Sequence, residues 1–163
     1  KLPLHVTHND TKLNNVLFNS DRRAICVVDL DTVMPGSILF DFGDAIRTGA
    51  NTALEDEPDL SKVDVNIDAY SSFTKGFLKN MVSVLTDDEI ALLPFSARFM
   101  TFIIGLRFLT DYLNGDVYFK TKYPGHNLVR TKVQFEFFRK LEQNKDLMET
   151  IVQQNILLHA EQN

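Results

Sequence analysis

The amino-acid sequence predicts a mainly α fold with a small β-hairpin region (α+β), formed as a single domain over residues 1–163. Three observations carry this. Short β-prone runs punctuated by turn residues are confined to the first third of the chain. From Asn66 onward, apolar residues recur at helical spacing. Cap and stop signals then divide that second part into helices of ordinary length. A chain of 163 residues is long enough to bury one core of its own.

The elements follow in order. "LPLHVTH" from Leu2 is a short strand, and "NVLF" and "AICVVDL" flank the turn residues "NSDRR" as a hairpin. "MPGS" breaks the chain before "LFDFGDAIRTGA", which reads as a short helix. The acidic stretch "NTALEDEPDLSKVDV" reads as a solvated loop or insertion, the usual fate of a charge run. "NIDAYSSFTKGFLKNM" sets Ile67, Tyr70, Phe73, Phe77 and Met81 on one helical face. Thr86 and Glu89 form a capping-box pattern ahead of "IALL". Pro94 is expected to start a new helix that runs to about Leu113 and stops at "NGD". "NLVRTKVQFEFFRKLEQN" and "DLMETIVQQNILLHAE" supply two more helices.

Composition excludes some classes. A net charge of −5 and a pI near 5.3 speak against a nucleic-acid binder, which carries a basic face. The single cysteine, Cys26, precludes an internal disulfide and, within "AICVVDL", is expected to be a buried reduced thiol. No membrane span is expected: "FMTFIIGLRFL" follows Arg98 and is interrupted by Arg107. The chain opens on Lys1, so the expectation is a longer polypeptide that contributes a further N-terminal portion.

The chemistry concentrates near the N-terminus. His8-Asn9-Asp10 followed by Asn15 has the H-x-D-x-x-x-x-N spacing of a kinase catalytic loop, and Asp41 heads a D-F-G. In that chemistry a loop aspartate accepts the proton of the attacking hydroxyl, the asparagine binds Mg²⁺, and a second aspartate binds Mg²⁺ as well. The hairpin "NVLFNSDRRAICVVD" returns the chain beside Asn15 and delivers Asp29. Asp41 comes only after the Pro-Gly break, at the start of a helix, so hairpin geometry selects Asp29 over the D-F-G. Taken singly, Asp10 and Asn15 also read as turn formers in a stretch rich in Asn, Asp and Thr. Together with Lys12, the hairpin and Asp29 in register, the set is specific.

"HNDTKLNNVLF" and "VVDLDTVMPGSILFDFGDAIR" resemble the aminoglycoside phosphotransferase and choline kinase superfamily. The "DTK" and "DLDTVMPG" wording is closest to the N-acetylhexosamine 1-kinases, which phosphorylate the anomeric hydroxyl of GlcNAc or GalNAc. The resemblance implies the C-terminal (catalytic and substrate) lobe of a protein-kinase-like fold, in a cytoplasmic enzyme whose N-terminal nucleotide-binding lobe lies elsewhere in the same polypeptide. It implies ATP as phosphoryl donor, Mg²⁺ as cofactor and a small-molecule sugar as acceptor. Carried over by position, Asp10 is the base, Asn15 and Asp29 are the metal ligands, and Lys12 contacts the transferred phosphate. His8 and Asp41 brace the catalytic loop. Two departures stand out: Asn9 replaces the usual Gly, and "DFGD" replaces a D-L-A-like turn.

The acceptor residues leave alternatives open. Arg107 and Tyr118 either contact the sugar or serve the fold, with Arg107 pairing to Asp111 at i, i+4. Asp31 either accepts a sugar hydroxyl or caps the "TVMPG" turn. His126 and His159 are expected at the surface. Two other classes compete. "VVDLDTV" also resembles the first motif of haloacid-dehalogenase phosphatases, with Asp29 as nucleophile and Asp31 as acid/base, which requires a parallel sheet. A non-catalytic helical binding domain is the other; other small-molecule kinases of the aminoglycoside, choline or homoserine type remain open within the first reading.

Overall fold

The computed structural model describes residues 1–160. Strand β1 (His5–Thr7) pairs antiparallel with β4 (Met34–Gly36), and β2 (Val16–Phe18) pairs antiparallel with β3 (Ala24–Val27). Five helices follow: α1 (Ile38–Gly49), α2 (Ile67–Met81), α3 (Asp87–Leu113), α4 (His126–Gln143) and α5 (Lys145–Ala160). The fold is mainly α with a small β region. Both sheets are two-stranded and antiparallel, so the described residues contain no parallel sheet and the phosphatase reading loses its scaffold.

Helix α3 is the centre of the molecule, packed on α1 along one side and α4 along another, while α2 packs on α5. Phe42, Ile46, Tyr70, Leu93, Ala97, Phe137 and Leu141 fill the core between them. Two glycines permit the close approaches. A Cβ on Gly43 would run into the Ser96 carbonyl oxygen of α3, and one on Gly105 would meet Phe135 Cε1 of α4 at 2.8 Å. The capping box forms at the head of α3: Glu89 N–H donates to Thr86 Oγ1 at 3.3 Å and Thr86 N–H donates to Glu89 Oε2 at 2.9 Å. Glu89 Oε1 also meets His5 Nε2 at 2.8 Å, which ties β1 to the helical body.

Several expectations are corrected. Pro94 does not start a helix; it sits inside α3, which runs unbroken from Asp87. An interior proline removes one hydrogen bond and costs about 3 kcal/mol. Here the turns on both sides are held by the fully buried Leu93 and Ala97 and by the capped first turn. The "MPG" break is strand β4, whose Pro35 lies opposite Val6 in a two-stranded sheet, where a proline removes no ladder on its open edge. Cys26 is exposed, because the β2–β3 hairpin has no layer packed on it and every residue of β3 is open. By length and composition α3 is able to cross a membrane, with a mean hydropathy of 1.5 over its best window. It also carries buried polar Glu89, Ser96, Thr101 and Asp111 and lies between two other helices, which makes it the core helix of this fold. On α2 the buried line is Tyr70, Thr74 and Leu78, next to the apolar line, and Phe73 is half exposed. The acidic stretch is only partly solvated: Val63 and Val65 belong to the core, and Asn51 bridges Val65 to close the loop.

Candidate active site

The site is built on the segment between β1 and β2. Asn9 has φ 62°, a left-handed conformation that glycine and asparagine tolerate best. Its side chain donates to Thr32 O at 3.0 Å. Asp41, in the first turn of α1, accepts the backbone N–H of His8 at 2.8 Å on one oxygen and that of Asn9 at 2.7 Å on the other. Thr11 Oγ1 donates to Asp41 O at 2.5 Å, and Thr32 Oγ1 donates to His8 O at 2.6 Å. His8 places Nε2 3.2 Å from Val28 O, while its Nδ1 is buried without a partner. The carboxylate of the D-F-G is thus committed to backbone N–H groups of the loop.

Asp10 lies at the middle of a compact polar group. Lys12 Nζ donates to Asp10 Oδ2 at 2.6 Å and stands 3.9 Å from Asp29 Oδ2. Asn15, only 5% exposed, donates Nδ2 to both Asp10 O (2.8 Å) and Asp10 Oδ2 (2.9 Å). The hairpin returns as its spacing suggests: Val28 N–H donates to Asn15 O at 2.9 Å, and the next residue, Asp29, turns left-handed at φ 66°. Burial alone would raise the Asp10 pKa, but hydrogen bonds from Lys12 and Asn15 outweigh it and hold the carboxyl below its ordinary value. The same bond to Asp10 raises the Lys12 pKa against its own desolvation. At neutral pH the pair is carboxylate and ammonium. The described residues contain no cluster of three His, Cys, Asp or Glu; the candidate metal pair is the Asn15 amide and the Asp29 carboxylate.

A cleft of about 490 Å³ opens from Asp10 and Lys12 toward Arg107, Tyr118 and Phe119 on the far wall. Arg107 Nη2 donates to Tyr118 Oη at 3.3 Å, and its guanidinium lies 5.6 and 5.5 Å from the Tyr118 and Phe119 ring centres. The i, i+4 pair with Asp111 is not formed. Asp111 points inward and accepts the N–H groups of Val117, Tyr118 and Phe119 at 2.8–3.0 Å, plus Asn127 Nδ2 at 2.8 Å. Those bonds outweigh its desolvation and lower its pKa. Asp111 holds the backbone of Tyr118, which lines the cleft; the sequence pointed to Asp111 only as an i, i+4 partner for Arg107.

Asp31 is not brought to the cleft. It is exposed, caps no turn, and makes no hydrogen bond among the described residues; its neighbour Thr32 lines the cleft instead. His126 is not a surface residue: it is 0% exposed, accepts Lys122 N–H on Nδ1 at 3.2 Å and meets Asp56 Oδ2 with Nε2 at 3.1 Å. His159, in the last turn of α5, is half-buried. Sequence reading also missed Asp44, Arg47 and Glu55, a charged row in the cleft wall. Arg47, 7% exposed, donates to Asp44 at 2.7 Å and Glu55 at 3.0 Å.

The stretch that carries the loop, the hairpin, Asp29 and Asp41 is also the stretch that matches a known family. Residues 1–75 of the 163 match the model of the phosphotransferase enzyme family, APH, which supports a small-molecule phosphotransferase as the class to which this site belongs.

Proposed function

We propose that the protein transfers the γ-phosphoryl group of ATP, with Mg²⁺, to an alcohol of a small sugar, and that the acceptor is the anomeric hydroxyl of an N-acetylhexosamine. The observation that carries the reading is the convergence of Asp10, Lys12, Asn15 and Asp29 on one point, with Asp41 fixing the backbone beneath it. Asp10 is anionic and opens on the cleft, so it can accept the proton of an acceptor hydroxyl as that oxygen attacks phosphorus. Lys12 shares the carboxylate and supplies positive charge where negative charge spreads over the transferred oxygens. Asn15 turns its amide nitrogen to Asp10, which leaves its oxygen as a metal donor, and the Asp29 carboxylate is half exposed beside Lys12. Hard oxygen donors of this kind fit Mg²⁺, which when bound neutralises phosphate charge on the nucleotide. Arg107 and Tyr118 line the acceptor end of the cleft.

A further nucleotide-covering lobe in the same polypeptide completes the proposal. The exposed apolar side chains of the hairpin, Leu17, Phe18, Ile25 and Val27, offer it a surface. The test is ADP release by the full-length protein with ATP, Mg²⁺ and a panel of hexosamines, aminoglycosides, choline and homoserine. Hexosamine-dependent turnover with phosphate on the anomeric oxygen supports the reading. Turnover with one of the other alcohols keeps the phosphotransferase and removes the sugar, and no acceptor-dependent turnover removes both.

A further inference from the structure

The acidic segment between α1 and α2 carries two adjacent carboxylates that the fold treats differently. Asp56 is a latch: it accepts from Lys122 Nζ at 2.8 Å and lies 3.1 Å from the buried His126 Nε2, which fastens the segment to the base of α4. The segment is closed independently by Thr52 N–H donating to Asp64 O at 3.0 Å and by Asn66 N–H donating to Ala50 O at 2.8 Å. Glu55 adds to that closure through ion pairs to Arg47 of α1 and Arg130 of α4. Its side chain remains 41% exposed and lines the same cleft as Asp10.

The two cations around Glu55 depend on it to different degrees: among the described residues Arg130 has no other carboxylate partner. Arg47 already has Asp44 at 2.7 Å as its counterion. Arg130 Nη1 donates to Asn127 Oδ1 at 3.1 Å and Lys120 O at 3.2 Å. What the arginines do is aim the carboxylate: Arg47 Nη1 holds Oε1 at 3.0 Å, and Arg130 Nε faces Oε2 at 3.6 Å. A carboxylate offers about four acceptor sites, and the single hydrogen bond from Arg47 leaves others for a ligand in the cleft that Glu55 lines.

We propose that Glu55 is an acceptor-binding residue, which receives hydrogen bonds from hydroxyl groups of the polyol acceptor and selects for their presence. The inference rests on the sugar-kinase reading above and adds to it the residue that reads the hydroxyls remote from the reacting oxygen. A hydroxyl that donates to this half-exposed carboxylate adds to acceptor binding, so the analogue lacking it binds more weakly.

The experiment uses the full-length protein, its Glu55→Ala and Glu55→Gln variants, and a set of hexosamines each lacking one hydroxyl. For Glu55→Ala the acceptor KM rises by about 10-fold or more while kcat and the ATP KM stay within about 2-fold, as expected for lost binding that is uniform between ground and transition state. One deoxy sugar loses about 10-fold in kcat/KM with the wild type and little further with Glu55→Ala, the coupling expected of two groups in contact. Glu55→Gln, which keeps one acceptor oxygen, falls between, and it decides the matter alone by the same deoxy comparison if the alanine variant melts below the assay temperature. Unchanged acceptor KM, a parallel rise in the ATP KM, or equal deoxy losses in wild type and variant overturn the assignment while leaving the kinase reading intact. Absence of any alcohol-dependent turnover by the wild type overturns the parent reading, and the Glu55 assignment with it.

Discussion

Asn9, immediately before Asp10, and Asp29, just after the β2–β3 hairpin, both adopt left-handed backbone. The two aspartates of the local sequence then separate by partner. Among the described residues Asp29 makes one ion pair, with Lys12 at 3.9 Å, whereas Asp41 has both oxygens committed to loop N–H groups. Asp10→Asn in the full-length protein is expected to lower kcat by at least ~10²-fold with little change in substrate affinity, because proton acceptance belongs to the transition state; near-normal turnover would remove Asp10 from that role. Asp29→Asn is expected to leave the melting temperature unchanged and to raise the Mg²⁺ concentration needed for activity. Asp41→Asn puts an amide NH₂ against one of two backbone donors and is expected to lose ~1–3 kcal/mol in denaturant unfolding. The reverse pattern would make the D-F-G the metal motif. The loop was legible in the sequence because its partners lie within one hairpin of each other. Asp111, His126 and Glu55 were not, since their roles depend on Asn127, Asp56 and Arg130, residues on other elements.

Breaks, periodicity and caps marked the regions of all five helices, with α3 split in two at Pro94, and the errors between elements have a common cause. Pro94 read as a boundary because local chemistry disfavours an interior proline, but tertiary burial on both sides of it keeps α3 whole. "MPG" read as a breaker because its strand partner, β1, lies far back in the sequence. Gly43 shows the converse: the glycine of the D-F-G is explained by helix packing, since α1 meets α3 where a side chain would strike Ser96 O and Met100 Cγ. Gly43→Ala is therefore expected to destabilise by ~1–3 kcal/mol in urea unfolding, the usual cost of overpacking. An unchanged midpoint would mean that α1 and α3 do not approach as closely as described. At the head of α3, Thr86→Ala is expected to cost about 1 kcal/mol by the same measurement, as loss of an N-cap does.

At the scale of the whole molecule, carboxylates join segments far apart in sequence. Glu89 ties β1 to α3, Asp56 ties the acidic segment to α4, and Asp64 reaches Lys140 of α4. Each is held below its ordinary pKa. For Asp56 the chief cause is the hydrogen bond from Lys122, for Asp64 that from Val65 N–H, and for Glu89 the bonds from Thr86 and His5 outweigh its desolvation. A folded pKa below the unfolded one means that the unfolded chain binds more protons on acidification. The stability these groups contribute is fully present above the unfolded carboxylate values near ~4 and is lost as pH falls through the depressed folded values. Urea midpoints are accordingly expected to be level between about pH 6 and 8 and to decline below about pH 5. Glu89→Gln removes one of the depressed groups from inside the fold, so its midpoint is expected to be lower than wild type at neutral pH and to fall less steeply with acid. A wild-type midpoint that rises from pH 5 to 3, or an equal acid slope in both proteins, would show that these carboxylates do not couple the β region to the helices.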